Sequence, residues 1–226
     1  MSQYQIRQCE RKNCNFRFSL LAKSGLGQRC PQCGAETTVA DAPYSAHEVY
    51  TQACSSIGPE VEALLDNIRS IFNVGNMIRT ADGAGLRHLH LCGITATPRN
   101  PKLAKTALGA ENSVAWTRHR NGLAAASSLK AKGFRLWALE GGPRAESLFD
   151  TTEYIHGPPV VLVVGSEVSG VDPGILEQCE RVFSLPMQGS KTTLNVSVAF
   201  GIAAYFLRFI LPLPRSERSV ACPKGF

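Results

Sequence analysis

Val160-Val161-Leu162-Val163-Val164-Gly165-Ser166-Glu167 is the stretch that decides the fold. An apolar run with no polar alternation reads as a strand buried on both faces, and the Gly-Ser-Glu after it reads as a loop at the strand's carboxyl end. Outward from this run, strand-like segments at 86–94, 114–117, 135–139 and 181–185 alternate with helix-like segments at 101–108, 121–132 and 173–179. A long apolar helix is predicted over 193–211. Strand–helix alternation of this kind gives an α/β fold with a mostly parallel sheet covered on both faces. Ligands of such sheets bind outside the carboxyl ends of the strands. Gly141-Gly142-Pro143, Gly165-Ser166-Glu167 and Pro186-Met187-Gln188-Gly189-Ser190 follow three of these strands, and they are predicted to border one pocket.

Composition narrows the function. The chain has 226 residues, 44% hydrophobic and 19% charged, enough to bury a core; its 24 Lys+Arg against 18 Asp+Glu give a net charge of +6. That balance mildly favours polyanionic partners such as nucleic acid. No basic start followed by an apolar stretch appears at Met1, so no secretory signal is expected. The longest uncharged stretch, 192–207, falls short of the roughly 20 apolar residues of a membrane span. The expectation is a soluble, cytoplasmic protein. Neither a Gly-x-Gly-x-x-Gly turn nor a phosphate-binding Gly-Lys-Ser/Thr loop is present, which disfavours an ordinary dinucleotide site and a P-loop. No Ser-His-Asp or Cys-His set stands out, and His88-x-His90 reads as strand alternation rather than a ligand pair. Lys102, Lys105, Arg118 and Arg120 read as a solvated face, with a phosphate track as the alternative use.

The first forty residues are different. Cys9 and Cys14 are separated by four residues, Cys30 and Cys33 by two, and fifteen lie between the pairs. Such spacing lets two tight turns, ending in Cys14-Asn15 and Cys33-Gly34, present four thiolates to one structural Zn²⁺. A segment this small needs a staple to stay folded. Four cysteines leave no open coordination position, so a zinc hydrolase is disfavoured. Arg7, Arg11, Lys12, Arg17, Lys23 and Arg29 outnumber Glu10 and Glu36 here. Tyr4, Phe16 and Phe18 are candidates for stacking on bases, or else for one face of a small core. Cys92 reads as a buried small hydrophobe. The chain divides into a zinc ribbon at 1–40, a linker and leading helix at 41–65, the main domain at 66–211 and a disordered tail at 212–226.

Three segments carry a resemblance. They are Asn67-Ile68-Arg69-Ser70-Ile71-Phe72-Asn73-Val74-Gly75-Asn76-Met77-Ile78-Arg79-Thr80-Ala81-Asp82-Gly83-Ala84-Gly85, then Val164-Gly165-Ser166-Glu167-Val168-Ser169-Gly170-Val171, then Leu185-Pro186-Met187-Gln188-Gly189-Ser190-Lys191-Thr192-Thr193-Leu194-Asn195-Val196-Ser197-Val198-Ala199. In this order they resemble the motifs of SpoU-type RNA ribose methyltransferases, the TrmH-like branch of the SPOUT superfamily. The resemblance implies a parallel sheet with a C-terminal trefoil knot, a homodimer, and S-adenosylmethionine held by Leu139, Gly165, Leu185, Met187 and Leu194. It implies 2′-O-methylation of tRNA or rRNA, with Arg79 as the catalytic arginine and Asn73, Glu167, Thr193 and Asn195 as its polar companions. Thr193 stands where the family usually has serine. A guanidinium keeps its proton at neutral pH, so the role expected of Arg79 is to bind the substrate phosphate and stabilise the developing alkoxide, the proton passing to phosphate, water or Glu167. The alternatives are a base N-methyltransferase on a related knotted fold and a non-catalytic zinc-ribbon RNA-binding protein.

Overall fold

The computed structural model describes residues 3–45, 60–151 and 157–211, and the chain forms two compact units, 1–54 and 55–226. In the first unit, β1 (Gln3–Cys9) pairs antiparallel with β2 (Arg17–Leu21), β3 (Thr37–Val39) and β4 (Tyr44–Ser45). Phe18 and Leu20 alternate inward along β2 while Arg17, Ser19 and Leu21 face out. Among the described residues of this unit only Cys9, Cys30 and Thr37 are buried. A core of that size cannot repay the conformational entropy of ordering the segment, as the need for a staple anticipates.

The second unit runs β5 (Val61–Asp66), α1 (Ile71–Ala84), β6 (Leu89–Cys92), α2 (Ala104–Ala107), β7 (Trp116–His119), α3 (Gly122–Ala131), β8 (Arg135–Leu139), β9 (Glu146–Ser147), β10 (Val160–Val164), α4 (Pro173–Gln178), β11 (Arg181–Ser184) and α5 (Val196–Tyr205). Its sheet has the order β7-β6-β5-β10-β8-β11-β9, and every neighbouring pair is parallel. The decisive run is the central strand β10, wholly buried between β5 and β8. Val160, Leu162 and Val164 face the cluster built with α1 and α5, whereas Val161 and Val163 face that of α3 and α4. Full burial of each such side chain contributes roughly 1.5–3 kcal/mol, which is why the run tolerates no polar residue.

Four expectations need correction. Residues 61–66 form β5 rather than the end of a leading helix, so the sheet begins before position 66; Val61 and Leu65 fill one core and Leu64 the other. The rest of that helix, 46–59, and the tail at 212–226 lie outside the described residues. The second edge strand starts at Trp116, not at 114, because a 3-10 turn at Ala110–Asn112 holds Val114 N–H on the Ala110 carbonyl. The strand expected over 86–94 shortens to Leu89–Cys92, between the left-handed Gly85 that ends α1 and the left-handed Gly93. The last helix starts at Val196, not at 193, because Asn195 caps it by accepting from Ser197 N–H at 2.9 Å. Residues 192–194 are thereby freed as a loop. No helix among the described residues is long and apolar enough to cross a membrane.

Candidate functional site

The loops after β8, β10 and β11 border a cleft of about 390 Å³ at the carboxyl edge of the sheet. Leu139, Gly165, Leu185, Met187 and Leu194 all line it, as do Glu167, Thr193 and Asn195. Asn73 and Arg79 do not. The wall carries the carboxylates Glu140 and Glu167 and no Lys, Arg or His. Apolar walls with acidic groups suit a ligand with a flat apolar part and a positive charge, and they do not suit a phosphorylated cofactor. That is the chemistry of a sulfonium nucleoside such as S-adenosylmethionine, so the residues present fit the group.

Glu167 organises the polar side of the cleft. It accepts from the backbone N–H of Arg69 (2.8 Å) and Ser70 (3.0 Å) and from Asn73 Nδ2 (2.8 Å). These donors lie at the N-terminus of α1, where orphan N–H groups and the helix dipole favour an anion. Asn195 Nδ2 donates to Asn73 Oδ1 at 3.1 Å, while its Oδ1 caps α5. Asn195 is thus both a helix cap and a member of the polar set. Burial works against the charge of Glu167, but the N–H of Arg69, the Asn73 amide and the N–H of Ser70 outweigh it and hold the carboxyl below its ordinary value. These three donors favour the charged form of the carboxylate.

A carboxyl whose folded value is depressed stabilises the fold above its unfolded value, near 4.3, and loses that contribution as pH falls through the folded value. The Glu167→Gln variant is therefore expected to melt about 2–4 °C below wild type at pH 7, a modest gap because the carboxylate is solvent-exposed. Thermal melts should show the gap closing as pH falls from about 5 towards 3. A gap of unchanged size at pH 3 would contradict this role.

Arg79 stands apart: it is exposed on α1 and has no hydrogen-bond or ion-pair partner among the described residues. It makes no pair with Asp82. One turn further on, Gly83 lies against the Tyr205 hydroxyl, and Thr80 faces Gly201, so Arg79 borders the packed surface of α1 and α5. Phe72, Val198 and Tyr205 on these two helices remain 66%, 52% and 47% exposed.

Sequence reasoning missed Glu140. It follows β8 directly and accepts from Val171 N–H (2.8 Å) and Gly141 N–H (3.0 Å), stitching the loop after β10 to the loop after β8. Its place at the end of a predicted strand, one residue before a glycine pair, was the available signal.

In the first unit the sulfurs of Cys9, Cys14, Cys30 and Cys33 all lie within 4.8 Å of one another, with Cys9–Cys33 at 3.5 Å and Cys14–Cys30 at 3.8 Å. Four thiolates around one Zn²⁺ stand about 3.8 Å apart. The donor set and its spacing fit the ion. Each pair closes on a left-handed residue, Asn15 (φ 47°) and Gly34 (φ 70°), at the turns the spacing predicts. Phe16 is exposed and touches Phe18, and Tyr4 stacks on Tyr44.

The second unit has known relatives. Residues 60–205 match the SpoU rRNA Methylase family. The chain is 34% identical over 147 residues to the 23S rRNA (guanosine(2553)-2′-O)-methyltransferase RlmP of Bacillus subtilis, a match covering 64% of this chain and 56% of that protein. It is 30% identical over 142 residues to the 23S rRNA (guanosine-2′-O-)-methyltransferase RlmB of Vibrio parahaemolyticus, covering 63% and 56%. Among solved structures, the AdoMet-bound rRNA methyltransferase of Sinorhizobium meliloti superposes with a TM-score of 0.61 at 25% identity, covering 68% of this chain and 60% of that one. The chain therefore spans little more than half the length of these relatives. The family match takes in the loops after β8, β10 and β11 and the whole of α5, which build the cleft, and the polar set beside it. By that match the chain belongs to the SpoU rRNA methylase family.

Proposed function

We propose that this protein methylates a ribose 2′-hydroxyl of tRNA or rRNA using S-adenosylmethionine. The observation that carries this reading is the acidic, cation-free cleft joined to the Glu167–Asn73–Asn195 network at the strand ends. When bound, S-adenosylmethionine supplies a methyl group on a positively charged sulfur. Leu139, Leu185 and Leu194 exclude water from it, Gly165 lets the backbone approach it closely, and Glu140 holds the two loops around it. Glu167 fixes the N-terminus of α1 through Asn73, and Asn195 fixes the start of α5; Thr193 and Met187 complete the wall. Arg79 binds the phosphate beside the target ribose and stabilises the oxygen as its proton leaves to phosphate or water.

Arg79 and the cleft meet across a homodimer. The exposed Phe72, Val198 and Tyr205 supply the apolar surface for it, and Arg79 borders that surface. The loops after β8, β10 and β11 border one cleft, and the C-terminal trefoil knot implied by the family resemblance is part of this reading. Zn²⁺ held by Cys9, Cys14, Cys30 and Cys33 organises the ribbon, which adds RNA affinity. The catalytic domain occupies 60–211 after a linker, and the protein works in the cytoplasm, where its RNA is.

Arg79→Lys tests the role of the planar guanidinium. Methyl transfer is expected to fall at least tenfold with donor affinity unchanged, measured by scintillation counting and calorimetry. Near-normal turnover would refute any role that needs the fork.

A further inference from the structure

A second cleft, of about 370 Å³, lies at the far edge of the sheet between β7 and α3. Arg118, Arg120 and Lys132 line it and no carboxylate does. Among the described residues none of these three cations has an ion-pair partner. The floor is a hydrogen-bonded chain on one face of the sheet. Glu62 Oε2 meets His90 Nε2 at 2.8 Å, and His90 Nδ1 meets His119 Nε2 at 3.0 Å. Burial, the neighbouring His119 and Lys132 push His90 down to about 4, so it stays neutral at physiological pH. His119, which lines the cleft, is lowered too, by burial and by Lys132. Its Nδ1 has no hydrogen-bond partner among the described residues, and either tautomer of the chain leaves that atom available. The cleft therefore gathers three cations over a histidine floor, with a single carboxylate, Glu62, set behind His90. A concave, low-dielectric wall concentrates such a field.

We propose that this cleft binds the phosphate backbone of the RNA substrate, as a second anchoring point beside the donor cleft. This rests on the RNA-methylating reading. Because every strand is parallel, the carboxyl ends of β7 and β10 lie on the same edge of the sheet, with β6 and β5 between them. Three strand spacings, about 14 Å, separate these strand ends along the edge; the second cleft is walled from the α3 side of the sheet and the donor cleft from the α5 side, so an RNA strand would reach both by crossing this edge. Phosphate contacts of this kind fix position and register without reading bases.

The test uses the full chain with Arg118→Gln, Arg120→Gln and Lys132→Gln combined. These side chains are exposed and lie outside the donor cleft. Affinity for unmodified tRNA and rRNA at low salt is expected to fall at least tenfold. The slope of log K against log salt should fall by about 2, since each phosphate contact contributes roughly 0.7–0.9. Donor affinity and melting temperature should match wild type. Unchanged RNA affinity and salt slope in the variant, with a wild type that binds RNA, would overturn this proposal alone. A wild type that binds S-adenosylmethionine but no RNA would overturn the RNA reading and this proposal with it. Titration with inorganic phosphate separates the two sources of phosphate. Competition between phosphate and RNA, lost in the variant, supports the backbone site; phosphate binding lost in the variant without any effect on RNA retention would make the cleft a free-phosphate site and overturn it.

Discussion

Replacing Gly165 with alanine is expected to weaken S-adenosylmethionine binding at least tenfold and to lower the melting temperature by several degrees. A Cβ at this position would stand 2.1 Å from the Gly170 carbonyl carbon and from Val171 N. These are backbone atoms, so no side-chain rotation relieves the clash. The loop cannot drift either. Ser166 and Gly170 exchange backbone hydrogen bonds of 3.0 and 2.9 Å, and Glu140 grips Val171 N–H. Gly170 is itself left-handed, and its own Cβ would meet Glu140 Oε2 at 2.4 Å. Overpacking of a tight site costs about 1–3 kcal/mol, with backbone obstructions at the upper end. Gly141→Ala is the matched control for melting, because no protein atom lies within 4 Å of its Cβ position. Calorimetric donor titrations and thermal melts read both effects. A Gly165→Ala protein with wild-type affinity and melting would contradict the packing described for this loop.

The second large effect belongs to the metal. In the Cys30→Ser, Cys33→Ser variant, two of the four sulfurs that lie within 4.8 Å of one another are gone. Structural Zn²⁺ contributes on the order of 10–16 kcal/mol to small domains, far more than the three residues buried among those described in this unit can replace. Elemental analysis should find about one zinc per wild-type chain and none in the variant. Amide spectra should show residues 3–45 losing their dispersion while the second unit keeps its own and binds S-adenosylmethionine with unchanged affinity. RNA affinity is expected to fall. A variant with intact spectra would show that the ribbon folds without its metal, and unchanged RNA affinity would remove the ribbon from substrate binding.

The parts of the fold written in local chemistry were legible in the sequence. β8 and β10 match their predicted bounds because β10 is a continuous apolar run and β8 is one after its first residue, Arg135, each ended by a polar or glycine residue. The two cysteine turns were legible because Asn15 and Gly34 are residue types that accept a left-handed backbone. β5 was not, because Val61-Glu62-Ala63-Leu64-Leu65 suits a helix as well as a strand, and only pairing with β6 and β10 decides between them. The motifs identified Glu167, Asn73 and Asn195 one by one. Their hydrogen bonds join residues more than ninety positions apart, which no local pattern encodes. Arg118 and Arg120 were singled out as a possible phosphate track, but the histidine floor that joins them into a cleft arises from register between β5, β6 and β7.

The most direct test of the central claim is methyl transfer from labelled S-adenosylmethionine to unmodified tRNA and rRNA, followed by digestion to nucleosides and mass spectrometry. The account predicts a labelled 2′-O-methylnucleoside and no labelled base. Label on a nucleobase, or no transfer to either RNA by a protein that binds the donor, would contradict it.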